Sequence, residues 1–345
     1  MTARLSVVFP GALASLQDLG RPGLRKVGVP RAGALEPGWL RLANALAGNA
    51  QDSAAIEFFG GGLVLRAEEA PLRLALAGPF VGDIVATDGS RRTTASWRSL
   101  TLAPGEQLRC GMTGGARVGY VAVSGLRAPL LLGSASTYAR AGFGCLLTAG
   151  NAFALPNLQG GPERQLATPP EISGVQPIRV VAGPQADYFT EAALQAFFSG
   201  DYRVTAEADR MGVRLDGPTL AHRAEKGVEI TSDATVPGSI QVPGKGLPIV
   251  LLNDGQTAGG YPKIATVISA DLPRLSVLPP GSVLRFAEVS VATAEAAARE
   301  REQYLQAMIA GIIPLRQDEG RASIELDALY ANNLLSGMVD ALGRD

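Results

Sequence analysis

The chain has 345 residues, of which 42 are glycine and 23 proline, and 18% of it is charged against about 25% in an ordinary globular protein. This composition excludes a disordered chain, a coiled coil and a mostly helical bundle, and at roughly 150 residues per domain it predicts two domains. The net charge is −1, with Lys and Arg scattered along the chain; there is no electrostatic footprint for a phosphate backbone, so nucleic acid is not an expected partner.

In chain order, the first feature is Arg4 followed by the apolar run 5–9, a faint secretory pattern that Pro10-Gly11 interrupts. The expected structure there is a first strand ending in a turn, in a chain that stays in the reducing cytoplasm. Short β-rich runs follow at 55–59, 63–66, 72–77, 100–102, 108–110, 118–123 and 130–132, the grammar of a barrel or sandwich. Among them Pro37 opens a helix, with Trp39, Leu42, Ala43 and Leu46 on one stripe and Gly48-Asn49 as the stop. Residues 157–176 hold Gly160-Gly161-Pro162 and Pro169-Pro170 without periodicity and are assigned as a linker.

A second strand series comes at 178–182, 202–206, 213–215, 228–231, 239–242, 249–252, 265–269 and 283–286, with a helix expected over 184–198. Residues 293–310, rich in Ala, Glu, Arg and Gln, predict another helix, and 324–335 a weak one. The expected organisation is a first β domain at 1–160, a second at 175–290 and a helical extension at 291–345. Leu102-Ala-Pro-Gly-Glu-Gln-Leu-Arg109 and Leu278-Pro-Pro-Gly-Ser-Val-Leu-Arg285 agree at six of eight positions; shared turn chemistry explains part of this, and a duplicated barrel explains it with the strand rhythm as well.

Chemistry-bearing residues are few. Cys110 and Cys145 are too sparse for a disulfide framework, and the single histidine, His222, leaves a His/Cys zinc site short of ligands, so no metal site is expected. No apolar run is long enough to span a membrane. The glycine-rich 238–246 segment fails as a phosphate loop, because its spacing is one residue long and Gly246 stands where a hydroxyl is needed.

The densest unusual segment is Asn253-Asp254-Gly255-Gln256-Thr257-Ala258-Gly259-Gly260-Tyr261-Pro262-Lys263. Gly259-Gly260 lets backbone N–H groups approach a ligand, Tyr261 and Gln256 add a ring and an amide, Lys263 a charge and Asp254 a carboxylate. The chain has only four lysines, so two of them, Lys26 and Lys263, in Gly/Pro-containing loops stand out; a compact ammonium suits a developing oxyanion. An ordinary hairpin with a solvated lysine is the alternative. A second loop, 17–33, carries Arg21, Arg25, Lys26 and Arg31 beside Asp18; it forms an anion site, or Asp18 caps the turn and pairs with Arg21.

Taken together, Gln17–Gly23, 28–49, 208–217, and above all 238–243 with Gln256-Thr-Ala-Gly-Gly-Tyr-Pro-Lys263 and 268–275 resemble the C-subunit family of bacterial 5-oxoprolinases, also called KipA-like or the second-subunit family of allophanate hydrolase, related to the carboxyltransferase part of urea carboxylase. The sequence departs from the family where Ala32 and Glu36 replace the usual Ser and Asp. The resemblance implies a mainly β fold of two cyclophilin-like β-barrel domains with a few flanking helices. It implies one component of a larger enzyme, working with B-like (KipI-like) and A-like partners in the ATP- and magnesium-dependent opening of a lactam, 5-oxo-L-proline, to L-glutamate. In that setting Lys263, Asp254 and Arg21 are the expected catalytic residues, and Gln256, Gly259, Gly260, Tyr261, Asp18 and Lys26 the expected substrate-binding ones. Two alternatives stand beside it: the carboxyltransferase component of a biotin-dependent, urea-type carboxylase, with biotin carried on another chain because no Met-Lys-Met attachment sequence is present, and a non-catalytic KipA-like protein that binds a kinase-inhibitor partner.

Overall fold

The computed structural model describes residues 3–144, 146–157, 161–170 and 177–315. The helix expected over 324–335, and Cys145, lie outside the described residues.

The fold is mainly β. In the first half, short strands with alternating burial form two antiparallel sheets. One has six strands, in the order Ala152–Leu155, Ala3–Pro10, Leu63–Ala67, Gln107–Cys110, Val81–Val85 and Arg91–Ala95. The other runs Ala14–Gln17, Ala55–Phe59, Val118–Val123, Leu72–Ala77, Arg98–Leu102, Arg164–Leu166 and Ile312–Pro314. Their facing side chains, among them Leu5, Phe58, Leu65, Leu74, Leu76, Val121 and Val123, make one core. The opposite face of the central strands presents Ala75, Ala77, Val118, Tyr120 and Ala122 to helix α1, Pro37–Ala47. Strand 118–123 is buried at all six positions for this reason: sheet covers one face and helix the other.

The second half builds an eight-stranded sheet, ordered Val283–Leu284, Tyr202–Val204, Gly212–Asp216, Ile249–Leu251, Ser239–Gln241, Lys263–Val267, Ile178–Ala182 and Phe286–Glu288. Its two edge strands are separated in sequence only by Arg285, so the sheet curls round until its edges are chain neighbours, a barrel-like closure that hides strand edges. Val180, Val213, Ile240, Val250, Ala265 and Phe286 fill it.

The two matching Pro-Gly turns are structurally equivalent. Gly105 and Gly281 both adopt positive φ (83° and 88°), and each donates its N–H to a neighbouring strand, to the carbonyls of Ala67 (2.7 Å) and Val204 (2.8 Å) respectively.

Helix α1 keeps its expected bounds because Glu36 accepts from Gly38 N and Gly48 ends it in the left-handed conformation. The helix expected over 184–198 starts later, as α2 at Glu191–Ser199, because Thr190 caps it and Pro184 precedes only a 3-10 turn. Helix α3, Leu272–Ser276, follows strand Lys263–Val267, and α4 spans Val291–Ala310 from its Ser290 cap. Residues 130–132 are no strand: Leu132 sits at φ 53° in an exposed turn closed by the Leu131–Ser134 bridge. Residues 228–231 also form no strand and are mostly exposed. The stretch assigned as a linker contains strand Arg164–Leu166, which pairs with Arg98–Leu102 and with Ile312–Pro314 after α4. The segment after α4 therefore returns to the first half, and α4 crosses beside α1, tied by Arg41–Glu302 (2.7 Å) and Arg301–Glu36 (2.7 Å).

Candidate functional site

The two loops singled out by residue chemistry meet at the seam between the halves. Segment 17–35 leaves the edge strand Ala14–Gln17 and crosses to the second half. There Ala32 N donates to the Asn253 carbonyl (2.9 Å) and Asn253 Nδ2 to the Ala34 carbonyl (2.7 Å). Ala32 is held at φ 53°, a conformation costing an L-residue of order 1 kcal/mol. At the departure Glu36, the residue caps α1 and binds Arg301 of α4 instead.

Arg25 makes the reach across. Its guanidinium donates to the carbonyls of Thr235 (2.8 Å), Gly255 (3.3 Å) and Gln256 (2.7 Å), and burial lowers its pKa from the ordinary value. Lys26, beside it on the same 3-10 turn, points outward and is exposed.

Asp18 and Arg21 turn toward their own half. Asp18 accepts from Gly20 N (2.7 Å), Ser134 Oγ (2.6 Å), Ala135 N (2.6 Å) and Ser136 Oγ (2.5 Å). Arg21, 1% exposed, donates to the carbonyls of Leu131 (3.0 Å), Ser134 (3.3 Å) and Ser136 (2.5 Å). Its Nη1 is buried without a hydrogen-bond partner, and its guanidinium carbon lies 5.2 Å from the centre of the Phe143 ring. Burial lowers the Arg21 pKa, opposed by Asp18 and Asp254. The two residues together brace the 131–136 loop.

The centre of the seam is a buried ion network that residue spacing did not reveal. Arg210 donates through Nε and Nη2 to Asp254 (3.0 and 2.9 Å), through Nη2 to the Gly33 carbonyl (2.6 Å), and through Nη1 to Glu57. Tyr120 Oη donates to the other Glu57 oxygen (2.5 Å) and accepts from Glu36 N (2.9 Å). Burial alone would depress the Arg210 guanidinium, but Glu57 and Asp254 more than reverse it and its pKa is raised. Burial pushes the Asp254 carboxyl up from its ordinary value, with Arg210 pulling the other way. Burial likewise pushes Tyr120 up, reinforced by Glu57. Arg117 adds a parallel tie to the Ser276 carbonyl (2.6 Å) and the Asp209 carbonyl (3.0 Å), and burial takes its pKa down to about 10.

Lys263 is not the solvated lysine of an ordinary hairpin. It is 2% exposed, and its ammonium donates to Asp233 Oδ2 (2.6 Å) and the Ala234 carbonyl (3.0 Å), which depresses the Asp233 carboxyl. Asp233–Ala234 pairs with Ala258–Gly259 in a two-stranded ribbon, so the lysine anchors the ribbon that carries Gly259. A β-carbon at Gly259 would stand 2.5 Å from Gln241 Nε2. Gln256 donates to Gln241 Oε1 (3.0 Å), and the Gly260 carbonyl accepts from Ile230 N (2.8 Å). Tyr261 is 39% exposed.

Two cavities open on the seam. The larger, about 650 Å³, lies between segment 19–37, α3 and α4, and is lined by Arg21, Arg25, Arg31, Asn253 and apolar residues such as Leu252, Ile268 and Leu272. The smaller, about 180 Å³, is lined by Ser15, Gln17 and Tyr138 from one half and by Asp209, Arg210 and Asp254 from the other. Asp254 and Arg21 thus face cavities, whereas Lys263, Gln256 and Tyr261 line neither of these two. Arg210 had one sequence signal, the 208–217 segment, which carried no assigned role, and Glu57 had none beyond its place in the strand run 55–59.

This architecture matches known proteins. Residues 27–288 match the family model of the carboxyltransferase domain, subdomain A and B. The 5-oxoprolinase C subunit of Escherichia coli is 33% identical over 313 residues, covering 88% of this chain and 96% of that protein. The crystal structure of TTHA0988 superposes with a TM-score of 0.73 at 36% identity, over 82% of this chain and 55% of that one. The crystal structure of the Kluyveromyces lactis urea amidolyase superposes with a TM-score of 0.79 at 25% identity, over 88% of this chain and 20% of that one. The chain spans little more than half of the first of these solved chains and a fifth of the second.

Proposed function

The chain belongs to the 5-oxoprolinase C-subunit family of carboxyltransferase-type domains, and from that premise we propose that it works as one component of an ATP-dependent amidohydrolase complex that opens 5-oxo-L-proline to L-glutamate with A-like and B-like partners. The observation that carries this reading is the 33% identity sustained over 96% of a 5-oxoprolinase C subunit. A lactam carbonyl is deactivated by amide resonance; ATP would supply the phosphoryl group that makes its carbon a better electrophile, and such chemistry demands positioned charge more than a covalent nucleophile. Among the described residues no cluster of three or more His, Cys, Asp or Glu is placed to hold a metal ion. Asp18 is engaged by four donors, so no step is routed through magnesium on this chain.

What this chain supplies is a braced seam. Asp254 is the group assigned to hold a proton: burial pushes its carboxyl upward toward basic usefulness, and Arg210 fixes both oxygens. Arg25 and Lys263 act as positioning residues, the first gripping the 255–256 backbone and the second anchoring the ribbon under Gly259-Gly260. Arg21 and Asp18 hold the 131–136 loop, which leads directly into residues 137–140 of the smaller cavity's lining. Tyr261 and Lys26, both exposed, are assigned to the face that meets substrate or a partner protein.

The test is reconstitution. The full chain by itself is expected to give no glutamate from 5-oxo-L-proline, and addition of the A-like and B-like partners with ATP and magnesium to give stoichiometric glutamate and ADP. Turnover by the isolated chain, or none by the complete set, would overturn the reading. A second reading, carboxyl transfer from a carboxybiotin borne on another chain, is favoured by the TM-score of 0.79 to the urea amidolyase; decarboxylation of free carboxybiotin accelerated by this chain would support it.

A further inference from the structure

Leu130, Leu131 and Leu132 stand 69%, 44% and 51% exposed on a single turn. One exposed leucine needs no explanation, but three in a row at the tip of a turn mark a contact surface. Leu132 is held at φ 53°, and the bridge between Leu131 and Ser134 closes the turn. A left-handed leucine is strained, so the surroundings impose this shape. Arg21 does so from inside: buried against the turn, it donates to the carbonyls of Leu131 (3.0 Å), Ser134 (3.3 Å) and Ser136 (2.5 Å). Asp18 fixes the same loop through Ser134 Oγ, Ala135 N and Ser136 Oγ. A buried ionic brace thus holds an apolar tip rigid in water.

The same guanidinium lies 5.2 Å from the centre of the Phe143 ring, which brings a second turn alongside, the 3-10 turn Ala139–Ala141 closed by the Tyr138–Phe143 bridge. Arg140 on that turn is exposed and forms no ion pair among the described residues. It is the only charged residue between Leu130 and Leu146, and residues 107–162 contain four arginines and no Asp or Glu. Across the small cavity from Arg140, the exposed Asp209 directs Oδ1 to Met211 N (2.8 Å) and Gly212 N (3.0 Å). The surface is a firm apolar knob with an unpaired cation at its flank.

Rigidity and charge select the occupant. A self-complementary contact with a second copy would bring two Arg140-bearing, carboxylate-free patches together, and like charges oppose that. A lipid surface takes up leucines in any conformation and has no use for a fixed shape. A protein socket does, because an anchor already held in its bound shape loses little freedom on docking. We propose that the 130–132 turn, flanked by Arg140, is the docking knob for a companion protein of the complex, one that presents an apolar socket to the leucines and carboxylates to Arg140. That such a companion exists rests on the amidohydrolase reading; the shape and charge of the knob do not.

The test is calorimetric titration of the full chain with the purified A-like and B-like proteins, singly and together, alongside thermal unfolding. Leu130→Asp, which sends a charge into the socket, is expected to weaken binding to one companion about a hundredfold at an unchanged thermal midpoint. Leu132→Asn separates docking from folding: asparagine adopts the left-handed conformation readily, so the midpoint is expected to hold or rise while affinity falls about tenfold. Arg140→Gln is expected to flatten the loss of affinity between about 50 and 300 mM salt, and Met112→Gln, exposed but outside these turns, to change nothing. Wild-type affinity of Leu130→Asp and Leu132→Asn for both companions, or no companion binding by the wild type, would overturn the proposal. So would binding to phosphatidylserine–phosphatidylcholine vesicles, or a dimer in sedimentation, that Leu130→Asp abolishes, since each reveals a different occupant. The two readings fail separately. A complex that makes glutamate and assembles normally with Leu130→Asp removes the knob and keeps the amidohydrolase, and knob-dependent binding without ATP-dependent turnover does the reverse.

Discussion

Replacing Arg210 with Met removes the cation that Glu57 and Asp254 share at the centre of the seam. Both carboxylates are buried, at 1% and 8% exposure, and Arg210 itself is at 8%. Met fills much of the lost volume, so the cavity contribution is small, and the cost is that of stranding buried charge, about 3–5 kcal/mol. Set against a total stability of roughly 5–15 kcal/mol, this is a large fraction, and the thermal midpoint is expected to fall on the order of 10 °C. The pH dependence has a definite sign. Burial already holds the Asp254 carboxyl above its ordinary 3.8. A carboxyl raised on folding binds its proton more tightly in the native chain, so its contribution to stability is present at low pH and is lost as pH rises from 3.8 through the raised value. Without Arg210 pulling downward the shift grows, so the deficit of Arg210→Met is greatest at neutral pH and narrows on acidification toward about pH 5. Adding Asp254→Asn is expected to restore part of the loss at neutral pH. Urea unfolding of the wild type, the single and the double variant across that range is the assay. A loss below about 1 kcal/mol, the worth of an exposed pair, with no pH dependence would show that solvent reaches these carboxylates and would refute the account.

Arg25→Ala removes the bonds to Thr235, Gly255 and Gln256. It is expected to speed hydrogen exchange in residues 253–262 while costing only about 1–2 kcal/mol globally, and unchanged exchange there would show the bridge to be idle. Lys263→Ala frees the Asp233–Ala234 ribbon, and glutamate formation by the assembled complex is expected to drop at least tenfold with the complex still intact by size-exclusion chromatography; full activity would leave the ribbon without a role. The Asp233 carboxyl is held below its ordinary 3.8 by Lys263, so what this pair contributes is complete above that value and disappears only as pH falls through the depressed one. Melting of the wild type between about pH 6 and 8 should therefore be blind to Lys263→Ala beyond a constant offset. Gly259→Ala places a β-carbon 2.5 Å from Gln241 Nε2, displacing the amide that Gln256 binds. Its expected signature is a raised KM for 5-oxo-L-proline in the complex with an unchanged melting temperature.

Local chemistry made much of the fold legible. The stripe Trp39, Leu42, Ala43 and Leu46 between Glu36 and Gly48 encodes α1 almost residue by residue, because cap, apolar period and left-handed stop all lie within a dozen positions. Runs such as 55–59, 72–77 and 118–123 are equally local in their signal, apolar with glycine or proline close by, as at Gly60, Pro71, Gly78 and Gly125. Where the signal misled, a non-local partner or a backbone conformation intervened. Leu130-Leu131-Leu132 has strand-like composition, but a left-handed Leu132 turns it back on itself under Arg21. Strand Arg164–Leu166 has a polar sequence and exists because Arg98–Leu102 and Ile312–Pro314 flank it.

For the candidate site, residue order was enough to identify the family and the two loops that matter, because glycine pairs, a scarce lysine and the Gln-Thr-x-Gly-Gly-Tyr-Pro-Lys run are properties of neighbours along the chain. What each side chain faces was settled by the folded arrangement. Lys263 was turned inward onto Asp233, Asp18 onto the hydroxyls of Ser134 and Ser136, and Arg210, inconspicuous in a chain full of arginine, was brought between Glu57 and Asp254, 153 and 44 residues away. Burial makes such distant meetings obligatory, since a charge removed from water must find its counter-charge wherever the fold delivers it, and no spacing along a sequence records that delivery.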